Sequence, residues 1–145
     1  MGNTLSHKAF DIQEKPILNP LYAAHEVRTK FDSYGRKVVK AFFGIQGEPI
    51  VRAHGSYTGY HKRRYEYNRK GQLVKVRDYD RSDQPTTVHG AYGSDRRYDD
   101  KGRKVADIAF GLNEQRVADS NGVCEIRWTY DELDNRTSWS SFGVN

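Results

Sequence analysis

Tyr98-Asp99-Asp100-Lys101-Gly102-Arg103 is the stretch of sequence on which the fold prediction depends. It places an aromatic residue before Asp, two variable residues and Gly. An Asp at the first position of a type I turn accepts a hydrogen bond from the backbone two residues further on. A Gly at the fourth position accepts the left-handed conformation that a β-bulge requires. The stretch therefore predicts a tight β-hairpin.

The same pattern recurs along the chain with a second aromatic in register. The aromatics that begin it are 36, 31 and 32 residues apart, and another aromatic follows each at an offset of 12. These framing aromatics are Phe31 with Phe43, Tyr67 with Tyr79, Tyr98 with Phe110, and Tyr130 with Phe142. Proline stands six residues after Phe43 and also six after Phe10. Phe10 is therefore expected to belong to the second half of an earlier unit.

A glycine ahead of each turn is the third marker, found in His54-Gly55, His89-Gly90 and Asn121-Gly122. Gly90 and Gly122 lie eight residues before the next framing aromatic. Gly55 lies 12 residues before Tyr67, which predicts a four-residue insertion between Ser56 and Lys62. Because the third marker keeps its place in two of the three cases, it supports a regular unit.

We predict an all-β fold of tandem antiparallel β-hairpin repeats that form an extended sheet or a solenoid-like array. A tail over residues 1–9 would precede a single array over residues 10–145. Its four units would cover residues 10–42, 43–78, 79–109 and 110–145. No segment has a sustained 3.6-residue period, so a helical turn is expected only near Leu21–Val27.

The pattern resembles the YD-type repeats, related to RHS repeats, that occur in tandem in large bacterial proteins. Phe43-Gly44-Ile45-Gln46-Gly47-Glu48-Pro49 fits the middle element of that family, and the resemblance extends from Phe10 to Asn145. Two residues depart from it: Asp134 replaces the turn glycine, and Arg116 replaces the proline. The resemblance implies an all-β array with structural or binding roles and no catalytic residues.

Composition agrees with a folded but thinly cored protein. The 145 residues are 36% hydrophobic and 30% charged, with a mean hydropathy of −0.91. Ten Tyr, six Phe and two Trp argue against disorder, because disordered chains are poor in aromatics. The only cysteine, Cys124, excludes an internal disulfide and favours a reducing compartment. No apolar run suits a signal peptide or a membrane span, so we expect a cytoplasmic protein that is soluble or peripherally attached to a membrane.

The sequence predicts neither an enzyme nor a cofactor or metal site. The five histidines lack the spacing of a metal site, and a single cysteine excludes the usual cysteine-rich zinc sites. Cys124 falls at a position where Tyr92 stands in the preceding unit, which indicates a buried packing residue. No phosphate-binding glycine loop or nucleophile elbow is present.

A basic segment over residues 60–77 is the main candidate for binding an anion. Its cations are Lys62, Arg63, Arg64, Arg69, Lys70, Lys75 and Arg77, against a single Glu66. Interleaved tyrosines would suit single-stranded nucleic acid, and the charge would suit anionic lipid. The simpler interpretation, which we favour, is a solvated face whose cations guard a sheet edge.

Met1-Gly2-Asn3-Thr4-Leu5-Ser6 matches the acceptor pattern for N-myristoylation at Gly2. One myristoyl chain binds membranes only marginally and needs a second signal, which the basic segment could supply. The first expectation for function is nevertheless a protein-binding or structural scaffold, and an anion-surface binder is the alternative. Partners would be another protein, anionic lipid or nucleic acid, or a second copy of the chain joined through its repeat ends.

Overall fold

A computed structural model describes residues 2–52 and 58–144, and these residues form nine β-strands and no helix. The strands are β1 Thr4–Lys8, β2 Glu26–Phe31, β3 Lys37–Phe43, β4 Lys62–Tyr67, β5 Leu73–Tyr79, β6 Gly93–Tyr98, β7 Lys104–Phe110, β8 Glu125–Tyr130 and β9 Arg136–Phe142. They follow chain order across one antiparallel sheet. The predicted all-β class with sequential hairpins is therefore confirmed.

The same backbone turn follows each of the first framing aromatics. In the hairpin β2–β3, the N–H of Asp32 donates to the carbonyl of Arg36, and the N–H of Gly35 donates to the carbonyl of Asp32. The Asp32 carboxylate also accepts the N–H of Tyr34 at 2.9 Å, as the turn chemistry predicts. All four hairpin tips occur where the sequence places them, at residues 33–35, 69–71, 100–102 and 132–134.

The same turn also follows three of the second framing aromatics, Phe43, Tyr79 and Phe110, which the sequence pattern did not predict. Gly44 and Gly47 make the same pair of hydrogen bonds after Phe43. The fourth residue after the aromatic has a positive φ in each described turn of this class: Glu14, Gly35, Gly47, Gly71, Asp83, Gly102, Glu114 and Asp134. Four of these eight residues are not glycine, so the hydrogen bonds, rather than a residue type, define the turn.

Two kinds of strand alternate along the sheet. Lead strands (β2, β4, β6 and β8) end at the first framing aromatic, and return strands (β1, β3, β5, β7 and β9) lead to the second one, β1 stopping just before Phe10. Strand β1 pairs with β2 through Ser6 and Arg28, in the register by which Val39 of β3 pairs with Arg64 of β4. The expected tail thus contains a return strand, and Phe10 follows it as the second half of a unit would require.

The bulge predicted from the turn pattern is present in three described hairpins. The register shifts between Lys30 and Phe31 in β2, between Arg97 and Tyr98 in β6, and between Thr129 and Tyr130 in β8. Each shift lies just before the turn, so the framing aromatic itself marks the irregularity.

The chain divides into two compact units. The first unit comprises Met1–Tyr65 with Arg77–Val88, and the second comprises Glu66–Val76 with His89–Asn145. The division into four units predicted from sequence remains a prediction.

A small core lies in the first unit. It contains the buried residues Ala24, Val27, Phe42, Tyr60 and Val88. Phe42 is fully buried and packs edge-on against Tyr60 at a centroid distance of 5.7 Å. Two histidines that precede lead strands, His25 and His61, are also buried. Each places a ring nitrogen 3.1 Å from a backbone carbonyl, which gives them structural partners.

The second unit has its own buried residues, which include Tyr92, Ala106, Ile108 and Cys124. Its lead strands end in tyrosines whose hydroxyls reach the start of the preceding return strand. Tyr98 donates to the Leu73 carbonyl and Tyr130 to the Lys104 carbonyl, each at 2.8 Å. A tyrosine at this position therefore ties one hairpin to the one before it.

The third sequence marker needs a correction at one position. His54, Gly55 and Tyr57 lie outside the described residues, and Gly59, with a φ of 103°, stands eight residues before Tyr67. Gly90 and Gly122 have the same spacing to their framing aromatics and also a positive φ. The glycine in register is thus Gly59, and the extra residues precede it. Residues 21–23 form a turn, whereas Glu26 and Val27 belong to β2.

Candidate binding sites

The basic segment begins on β4, where its three cations contact carboxylates within the first unit. Arg63, which is half-buried, binds the buried Asp78 through two hydrogen bonds of 2.6 and 2.7 Å. Burial raises the pKa of the Asp78 carboxyl, and hydrogen bonds from Arg63 oppose that rise. Lys62 pairs with Asp83, and Arg64 lies 3.3 Å from the same carboxylate. Internal acids therefore offset the charge of all three cations.

The other four cations of the segment differ in how far they are exposed to solvent. Arg77 is buried in the first unit, with 4% of its surface exposed. Lys75 is half-buried, and Arg69 and Lys70 are exposed at the tip of the turn after β4, in the second unit. The structure thus leaves two of the seven predicted anion-binding residues on an exposed tip. The acids Asp78 and Asp83 follow the segment closely in the sequence, and their charge could have indicated that its cations form internal ion pairs.

The lipidation pattern has a structural explanation in the fold. Gly2 lies against the backbone after β2, and a Cβ built on it would approach the Phe31 carbonyl oxygen to 1.5 Å. Ser6, the other defining residue of the pattern, donates a 2.5 Å hydrogen bond to Glu26. The close backbone contact therefore requires glycine at position 2, and a Gly2→Ala variant would disturb the chain just before β1.

A cluster of one acid, one arginine and one aromatic recurs on two hairpins. In the first unit, Arg28 binds Glu26 at 2.9 Å with both donors and lies 3.8 Å from the centre of the Phe43 ring. Hydrogen bonding from Arg28 lowers the pKa of Glu26 to about 2. In the second unit, Arg127 binds Glu125 at 2.7 Å and lies 4.6 Å from the centre of the Phe142 ring.

Strand β9 presents an outer edge with no neighbour among the described strands. All seven of its residues are exposed, and they include Trp139 at 63% and Phe142 at 42%. The equivalent strands β3 and β7 are partly buried and pair with a lead strand on each side. The edge that pairs with the next lead strand in β3 and β7 is therefore accessible in β9.

The backbone groups available on that edge follow from equivalent positions. Phe42 and Ala109 each precede a second framing aromatic and donate their N–H to the next hairpin, at the carbonyls of His61 and Cys124. Ser141 holds the same position before Phe142. Because successive N–H groups of a strand alternate in direction, Ser141 and Trp139 direct theirs toward the outer side of β9.

The described residues show little chemistry beyond these surfaces. In residues 2–52 and 58–144, no group of three His, Cys, Asp or Glu side chains is arranged to hold a metal ion. Cys124 is a buried free thiol. No helix long and apolar enough to cross a membrane occurs in the same residues.

Comparison with models of known protein families and with curated proteins finds no match to this chain.

Proposed function

We propose that this chain is a non-catalytic module of YD-type hairpin repeats that binds another protein through the outer edge of β9. The observation that supports the proposal is the full exposure of β9, including Trp139 and Phe142. A strand that adds to such an edge gains main-chain hydrogen bonds, and its alternate side chains supply specificity. The buried, single Cys124 fits a reducing compartment such as the cytoplasm.

The partner should be an extended segment that runs antiparallel to β9. Every described strand pairing in the sheet is antiparallel, and the described strands next to β3 and β7 end in an aromatic residue. A segment that ends in an aromatic residue would reproduce that arrangement. In the register of β3 with β4, the residue opposite Trp139 would lie four residues before that aromatic.

A proline substitution on the outer edge of β9 tests the proposal. Extended peptides would be selected from a random library on the immobilised full chain, and their Kd measured by isothermal titration calorimetry. Ser141→Pro removes one outward N–H, and proline is tolerated where an edge N–H faces outward. We expect it to weaken peptide binding by about tenfold or more, given the cost of a lost hydrogen bond and a steric block. Ser140→Ala, which keeps every backbone N–H, is the matched control.

Peptides that bind Ser141→Pro and wild type equally well would show that the edge of β9 is not the site. Sedimentation velocity of the chain alone distinguishes a foreign partner from self-association through the repeat ends. A concentration-dependent dimer that Ser141→Pro dissociates would identify the partner as a second copy.

Binding to an anionic surface, either lipid headgroups or RNA, is the second candidate. It is supported by the exposure of Arg69 and Lys70 at one hairpin tip. An Arg69→Glu/Lys70→Glu variant should then release the protein from anionic liposomes or RNA at physiological salt. The matched control is Lys101→Gln at the next hairpin tip. If the double variant is retained as well as the control, this candidate is eliminated.

A further inference from the structure

A pocket of about 520 Å³ lies on the first unit, against strands β1 to β3. We call it the lysine pocket, after Lys37 and Lys40, which line it together with the apolar side chains of Leu5, Val27 and Phe31. Val27 and Phe31 are two of the alternate residues that share one face of β2. The volume lies within the range of small-molecule sites, roughly 300–1,000 Å³.

The space of the pocket is explained by a small residue, Ala9, which follows β1 at the position that the large Phe42 holds in β3. Ala9 donates its N–H to the His25 carbonyl, as Phe42 does to the His61 carbonyl, so the two residues hold equivalent positions. Phe42 is fully buried in the core, whereas Ala9 lines the pocket. The space that a phenyl ring fills beside β3 is therefore open beside β1.

The electrostatic environment of the pocket is positive. The Lys40 ammonium lies 4.7 Å from the centre of the Tyr22 ring and 5.4 Å from that of Phe42. Burial lowers the pKa of Lys40, and the nearby cations Lys37, Arg52 and Arg63 lower it further. Of these neighbours, Arg63 binds Asp78.

Among the residues that the structure describes, neither an acid nor an ion pair offsets the charge of Lys40 at this site. No Asp or Glu occurs among the described residues that line the pocket. Within the described residues, the Lys40 ammonium makes ring contacts and no ion pair. A half-buried cation without a counter-ion favours an incoming negative charge, because the desolvation cost of the lysine has already been met in the folded protein.

We propose that the lysine pocket binds a small organic anion whose charge is carried on an apolar chain or ring. The carboxylate or sulfonate of such a ligand would contact the Lys40 ammonium. Its apolar part would cover Leu5, Val27 and Phe31, which form one wall. Because the pocket belongs to the first unit and β9 to the second, this site is independent of the protein-binding edge proposed above.

Calorimetric titration of the full chain with matched probes tests the charge and the apolar requirement together. Decanoate supplies both, acetate supplies the charge without the chain, and decyltrimethylammonium supplies the chain with the opposite charge. We expect saturable 1:1 binding of decanoate alone among the three. A parallel titration with 1-naphthoate shows whether an aromatic ring is preferred to an aliphatic chain.

Two variants locate the site. Lys40→Gln should weaken decanoate binding by about tenfold, the usual effect of losing a charge-assisted hydrogen bond. Lys104→Gln is the matched control, since Lys104 begins the return strand β7, pairs with Asp107 at 3.2 Å and lies in the other unit. Ala9→Phe should abolish binding by filling the pocket, and circular dichroism shows whether that variant still folds.

Three results would overturn the proposal. They are an absence of decanoate binding to the wild type, equal binding of decyltrimethylammonium, and equal losses of affinity in Lys40→Gln and Lys104→Gln. The Lys40 comparison decides the question even if Ala9→Phe fails to fold.

Discussion

The hairpins β2–β3 and β8–β9 share a backbone but differ in what surrounds them. Both pair in the same register, with one bulge before the turn. Both carry the cluster of glutamate, arginine and aromatic residue. Strand β3 is nevertheless partly buried throughout, whereas every residue of β9 is exposed.

The difference shows which features of a hairpin are local. Turn, bulge and register do not depend on the outer side of the return strand, because they persist in β9, which has no outer neighbour among the described strands. The side chains do depend on it: β3 reads KVVKAFF and β9 reads RTSWSSF. Of these two return strands, the one that also pairs with a further lead strand is therefore the more apolar.

Truncating the core ring should give the largest difference between the two hairpins. Phe42→Ala removes a fully buried ring and should cost about 3–5 kcal/mol of unfolding free energy. Trp139→Ala in β9 removes a ring that is 63% exposed and should cost less than about 1 kcal/mol. Urea denaturation of both variants measures the two values. Equal losses would mean that burial does not distinguish the hairpins.

Acidification should weaken the cluster in the first hairpin by a smaller amount. The pKa of Glu26 is lowered from 4.5 to about 2, chiefly by its hydrogen bonds to Arg28. Its stabilising effect is therefore complete above pH 4.5 and is lost as the pH falls toward 2. Glu26→Gln should cost on the order of 1–2 kcal/mol at pH 7, because part of the effect is screened by solvent around Arg28.

Urea denaturation from pH 7 to pH 2 measures this dependence. The gap between wild type and Glu26→Gln should close over the lower part of that range. Glu125→Gln should behave with the same sign, since Arg127 lowers the pKa of Glu125 as well. Glu132→Gln, at an exposed turn, should show no such gap. A gap for Glu26→Gln that is independent of pH would contradict the assigned cause.

The smallest expected effect concerns the one hairpin tip that lacks glycine. Asp134 has a φ of 65°, which Gly adopts more easily, so Asp134→Gly should relieve about 0.5–1 kcal/mol of strain. It also removes the solvent-exposed contact to Arg103, which offsets part of that relief, so the net gain in melting temperature should be small.

The reciprocal change sharpens the comparison between the hairpins. Gly35→Asp should lower the melting temperature, because it places a side chain at a φ of 75°. Steric contact adds nothing to this effect, since a Cβ at position 35 meets no neighbouring atom within 4 Å. Asp134→Asn isolates the ion pair, because Asn keeps the tolerance for a positive φ. If Gly35→Asp leaves the melting temperature unchanged, backbone strain at this position is negligible.

The sequence was sufficient for the hairpins because their signals are local. Aromatic, Asp and Gly stand within five residues of each other, and the turn bonds join the same residues. The turn after the second framing aromatics was not predicted. In three of its instances the residue with a positive φ is not glycine but Glu14, Asp83 or Glu114. The backbone hydrogen bonds of the turn hold that conformation, and no single residue type in the sequence indicates it.

The binding sites depended on contacts between strands and were harder to predict. Arg63 and Asp78 lie 15 residues apart in sequence, and only the strand register brings them together. The lysine pocket depends on Ala9 standing where its counterpart is Phe42, which is visible only after the two strands are aligned in space. The exposed edge of β9 likewise becomes evident from the pairing of its neighbours.

The pairing of strands in chain order has a consequence for the speed of folding. Even the widest described pairing joins residues as near in the chain as Thr4 and Lys30. Sheets usually fold slowly because distant segments must meet before any contact rewards them. Here each hairpin closes on itself and then offers an edge to the next. Folding can therefore begin at several hairpins and spread to their neighbours, faster than in a β-sandwich of equal length.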